Sequence, residues 1–162
     1  MMTATRPWTS AGSSSGSLAG TRGRIHTRPL LVPAALDLLD LAHRGVAAAA
    51  GTTVPAERYA AAHLAALRSA AVVLAVRTRP IETKRRPRSA WVLLPQVAPE
   101  LTEWAAFFAA GAGKRAAAEA GIRTAVTARE ADDLLRDTET FIALIETTLG
   151  VSLFNTSSSP RP

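Results

Sequence analysis

The sequence predicts an all-α protein: a bundle of four to five helices over residues 33–150, with disordered ends. Three observations carry that expectation. Apolar residues recur at helical spacing along several segments. The last segment opens on Thr127-Ala128-Arg129-Glu130, a capping-box sequence. No stretch alternates with the period of a strand.

Composition narrows the class. A chain of 162 residues has room for one domain, and its hydrophobic fraction of 48% is that of a globular protein. Aromatic residues are only 5%, so the core must come from close helix contacts around alanine plus a few bulky anchors. With no cysteine there is no disulfide, thiolate nucleophile or Cys-ligated zinc. Arg68 and Arg77 interrupt the longest apolar run before it reaches the roughly 18 residues of a membrane span. The first twenty residues lack the apolar core of a secretory signal. The expectation is a cytoplasmic protein with no membrane contact and no cofactor.

Charge has an uneven distribution. The net +6 includes Arg6, Arg22, Arg24 and Arg28 in residues 1–32, a segment with no acid, and Arg161 in the tail 151–162. Between them, fourteen basic residues face thirteen acids. Residues 1–32, rich in Ser, Gly, Thr and Arg, read as disordered. The densest positive run is Arg77 to Arg88, where Pro80 and Pro87 forbid a continuous helix. Lys84, Arg85, Arg86 and Arg88 are therefore candidates for weak nucleic-acid contact, although no aromatic is interleaved to stack on bases.

The helices follow in order. The first starts near Pro33, with Asp37 expected in its opening turn and Leu36, Leu39, His43, Val46 and Ala50 as its apolar stripe, broadened by Leu38, Leu41 and Ala42. On that stripe His43 reads as a packed, hydrogen-bonded histidine. The second runs from Val54 to Val76 and carries two apolar faces. Leu64, Leu67, Ala71 and Leu74 form one, and Tyr59, Ala62, Ala66, Ala70 and Val73 the other, which makes it the central helix. A short helix follows Ser89 and should break near Pro95. Pro99 opens the next, with Trp91, Trp104, Phe107 and Phe108 as core anchors and a bend or break at Gly111 or Gly113. The last carries Ala131, Leu134, Leu135, Thr138, Phe141, Ile142, Ile145 and Leu149 on one face and ends at Gly150.

Most catalytic patterns are missing. The histidines at 26, 43 and 63 form no metal-binding pair, and Gly111-Ala112-Gly113-Lys114-Arg115 lacks the strand that precedes a phosphate loop. Asp132-Asp133 is explained by the dipole of the helix it opens. One spacing remains, Arg58 followed by His63.

Arg-x4-His resembles the Arg, four to six residues, His signature of HEPN-domain ribonucleases. The likeness extends over Leu36–Leu149, through ERYAAAHLAALRSAAVVLA and the stretch holding Trp91, Pro99-Glu100-Leu101 and Trp104-Ala105. In this the chain is similar to an actinobacterial family of small stand-alone HEPN proteins. The resemblance implies an all-α bundle, often a homodimer, in a superfamily linked to RNA cleavage, nucleotide binding and defence. In its catalytic members the motif lies on a late helix and two copies meet across a dimer. There the His moves the 2'-hydroxyl proton while the Arg steadies the phosphate.

Here the spacing falls on the second helix instead. Five residues at about 100° each place Arg58 and His63 about 140° apart, so the two do not share a cleft. His63 is expected to be packed and Arg58 solvated. Three readings follow: a non-catalytic HEPN-like module acting near nucleic acid or nucleotides, a metal-independent endoribonuclease using Arg58 and His63, and a helical adaptor for another protein.

Overall fold

A computed structural model of the chain describes residues 33–78 and 88–151. The disordered ends expected from the sequence, and most of the basic run after Thr78, lie outside these residues. Among the described residues there are five α-helices, two short 3-10 turns and no strand. The helices are α1 (Pro33–Gly51), α2 (Pro55–Arg77), α3 (Ala90–Val97), α4 (Thr102–Glu119) and α5 (Ala128–Leu149). The turns are Pro99–Leu101 and Arg123–Ala125.

The centre of the bundle is α2. It touches every other α-helix, and Tyr59, Ala62, Ala66, Ala70 and Val73 are all buried. Its other apolar side, Leu64, Leu67, Ala71 and Leu74, is half-buried. By length and composition alone α2 would suffice to cross a membrane. Its burial among four helices accounts for the same apolarity.

Helix direction follows from cross-contacts. Arg58 reaches the Ala49 carbonyl and Arg68 the Leu41 carbonyl, so α1 and α2 run antiparallel. Thr138 Oγ1 donates to the Ala62 carbonyl at 3.3 Å, while Asp132 meets Arg58, so α5 runs parallel to α2.

On α1 the buried face is Ala35, Leu39, Ala42 and Ala49, whereas Leu36 is 38% exposed and Ala50 is exposed. Leu39 and Ala42 are thus buried as expected, while Leu36 and Ala50 turn outward and Ala35 and Ala49 take part instead. The two helices come closest at Gly45, where an added β-carbon would stand 3.1 Å from Ala65 Cβ and only a small residue fits. Asp37 is the fifth residue of α1, beyond the free N–H groups of its start, and the first turn holds no acid.

Two expected breaks are absent. Pro95 lies within α3, which continues to Val97, because in so short a helix it forfeits only one backbone bond. Ser89 caps this helix, its Oγ accepting from Trp91 N–H at 3.3 Å. Helix α4 runs through both Gly111 and Gly113. At Gly111 the lack of a β-carbon makes room for α2: one added there would lie 2.7 Å from Tyr59 Oη. The glycine lets two helices close on each other without ending either.

Helix α5 follows its sequence. Thr127 Oγ1 accepts from Glu130 N–H and the Glu130 carboxylate accepts from Thr127 N–H at 2.8 Å, completing the capping box. All eight residues of its apolar face pack inward, Leu135 only partly. Gly150 adopts φ 66°, and Val151 N–H returns to the Glu146 carbonyl at 2.9 Å.

Candidate functional site

His63 projects from the middle of α2 into the core and is fully buried. Trp91 and Phe108 meet its ring edge-on, both with centroids 5.9 Å away, and Tyr59 lies stacked at 6.4 Å. Nε2–H donates to the Phe108 carbonyl at 2.8 Å, which fixes the tautomer and leaves Nδ1 as an acceptor without a partner. Burial pushes the imidazole pKa below its ordinary value, partly opposed by the bond to Phe108. A neutral, enclosed ring of this kind is fit for packing.

Arg58, about 140° away around the helix, leaves α2 in another direction. Its Nε donates to the Ala49 carbonyl at 3.2 Å and one terminal nitrogen to the Thr52 carbonyl at 2.6 Å. The other pairs with the Asp132 carboxylate. The guanidinium thus ties the end of α1 and the α1–α2 turn to the start of α5. The expectation of a solvated Arg58 is corrected: its side chain is only 23% exposed, because a planar fork of five donors finds three acceptors at this corner. Asp132 acts through that contact. The structure does not bring Arg58 and His63 together.

Sequence reasoning did not pick out Asp132 or Glu146 as partners. Glu146 sits on the inner side of α5 and is 8% exposed, with Oε1 2.7 Å from His43 Nε2 on α1. The expected hydrogen-bonded His43 is found, and with Glu146 it lines a cleft of about 260 Å³ that Val46, Glu139, Ile142 and Ala143 also line. The available signal was an acid on an apolar stripe of α5 matched by a histidine on that of α1.

The expected anchors divide. Trp91 and Phe108 are buried, Trp104 is half-buried, and Phe107 is 45% exposed. Phe107 is therefore not a core residue; it lies on the outward side of α4 beside Trp104. Of the basic candidates, Arg88 is exposed, while Lys84, Arg85 and Arg86 lie outside the described residues. Among the described residues no group of three potential ligands is placed to hold a metal ion.

A family model described as SAV_6107-like HEPN matches residues 49–146, more than half of the chain. The chain belongs to this HEPN family. The match takes in α2 to α5, including Arg58, His63 and Glu146, and the all-α bundle agrees with it. No curated protein and no solved structure matches the chain. Within this HEPN domain, then, the Arg-x4-His spacing supplies an interhelical clip and a core side chain.

Proposed function

We propose that this HEPN domain is a non-catalytic binding module associated with nucleic acid or nucleotides. One observation carries the reading: His63 is sealed in the core with Nε2–H committed to Phe108, and Arg58 is committed to Asp132, Ala49 and Thr52. RNA cleavage by such a pair needs both groups at one scissile phosphate. The endoribonuclease reading would require two helices to come apart.

Charge supports where a polyanion would be met. The described residues hold ten basic and twelve acidic side chains, so the positive excess resides in residues 1–32, 79–87 and 152–162. Lys84, Arg85, Arg86 and the neighbouring Arg88 are the residues of choice for phosphate contact. The slightly acidic helical body favours a second reading, an adaptor whose helices bind a protein.

The test has two parts. Incubation with structured RNA in EDTA should give no cleavage; cleavage lost in His63→Ala, with helicity retained, would establish the enzyme instead. Titration with RNA should show salt-dependent affinity that falls when Lys84, Arg85, Arg86 and Arg88 become serine. Absent or unaltered affinity would leave the protein adaptor.

A further inference from the structure

Between α4 and α5 lies an open groove of about 260 Å³ lined by Glu103, Trp104, Phe107 and Asp137. Its walls are two aromatic rings and two carboxylates. The Trp104 and Phe107 rings stand at 87° to one another with centroids 6.2 Å apart. Trp104 is braced from within by Phe108 and Phe141, at 6.0 and 5.4 Å, so this wall is set in place before any ligand arrives. Neither carboxylate forms a hydrogen bond or ion pair among the described residues, in contrast to Asp40, Glu100, Glu119, Glu130, Asp132 and Asp133. Arg136, adjacent to Asp137 in sequence, is paired with Asp133.

A carboxylate half out of water without a cation is costly, and burial accordingly raises the Asp137 pKa, Asp133 adding to the effect and Arg136 opposing it. Exposed aromatic faces attract cations through their negative quadrupole, and guanidinium does so best because its plane can stack while its N–H groups fork to a carboxylate. We propose that the α4–α5 groove is a binding site for a guanidinium group, that of an arginine side chain, stacked on Trp104 or Phe107 and paired with Asp137 and Glu103. This site is separate from Arg58 and His63 and does not depend on how polyanions are bound.

The side chain is supplied by residues 1–32 of this chain, which hold four arginines and no acid and so complement the two carboxylates. N-acetyl-arginine amide is the probe, followed by the Trp104 indole N–H signal in the full-length protein. A saturable shift is expected, with N-acetyl-citrulline amide, its neutral analogue, giving none. Asp137→Asn and Phe107→Ala, both at surface positions, should each weaken binding about tenfold with helicity unchanged. No saturable shift, an equal response to citrulline, or indifference to both substitutions would overturn the site. A full-length chain with Arg6, Arg22, Arg24 and Arg28 replaced by serine identifies the source. Tighter probe binding is expected, and unchanged binding would overturn residues 1–32 as the occupant.

Discussion

Gly111 and Tyr59 fit one another: the phenol oxygen of α2 occupies the space that a β-carbon on α4 would need. A β-carbon at Gly113, two residues on, would meet nothing within 4 Å. Gly111→Ala should therefore cost about 1–3 kcal/mol through overpacking, although alanine ordinarily favours a helix by about 1 kcal/mol. Gly113→Ala should stabilise by about 0.5–1 kcal/mol. Adding Tyr59→Phe to Gly111→Ala removes the crowding atom and should recover most of the loss. Urea unfolding of these variants checks the set, and like effects at the two glycines would contradict it.

Arg58 and Asp132 are predicted to act in stability, not in chemistry. Arg58→Ala should lose about 1.5–3 kcal/mol, since charged hydrogen bonds at a mostly buried corner are removed. A double-mutant cycle with Asp132→Asn should give a coupling of at least about 0.5 kcal/mol. Zero coupling would mean that the clip is idle.

The buried His63 should make the fold sensitive to acid. Its pKa lies below the ordinary 6.5, so below that pH the unfolded chain takes up a proton that the folded chain refuses. Stability should be full above about pH 6.5 and fall as the pH drops toward the folded value, by at most about 1.4 kcal/mol per pH unit. His63→Gln, which can still donate to Phe108, should remove that part of the slope in urea midpoints compared between pH 7.5 and 5.5. An identical slope in both proteins would refute the assignment.

Thr127→Ala should cost about 1 kcal/mol by removing the cap of α5. Glu130 has its pKa lowered to about 2, first by Lys114 and then by the Thr127 backbone and hydroxyl. Its contribution is present above 4.5 and should be lost as the pH falls from there toward about 2. Glu130→Gln should flatten that acid limb, as followed by thermal midpoints between pH 2 and 6.

Helix α5 was legible because its signals are local: Thr127 and Glu130 lie three apart, and Gly150 follows the last apolar residue. What was not legible depends on distance between elements. Hydrophobicity ranks Leu36 above Ala35, yet it is Ala35 that the bundle buries. In a linear reading Gly111 marks a break, and only Tyr59 shows it to be a point of contact. The 140° between Arg58 and His63 correctly separates them, but Asp132 stands 74 residues from Arg58 and no spacing rule points to it. Phe107 looked like core since its neighbour Phe108 is; consecutive residues on a helix face different ways.

The directions of three helices have a consequence for encounter. With α1 antiparallel to α2 and α5 parallel to it, Pro33, Thr78 and Val151 all lie at one pole of the bundle. Residues 1–32, 79–87 and 152–162, which hold the positive excess, each join the bundle at this pole, opposite the turn that Arg58 fastens. If the proposed polyanion is bound through these stretches, their shared point of attachment brings all three to the same ligand. Once one stretch engages such a ligand, the other two act at a raised effective concentration, so their individual affinities need not be high.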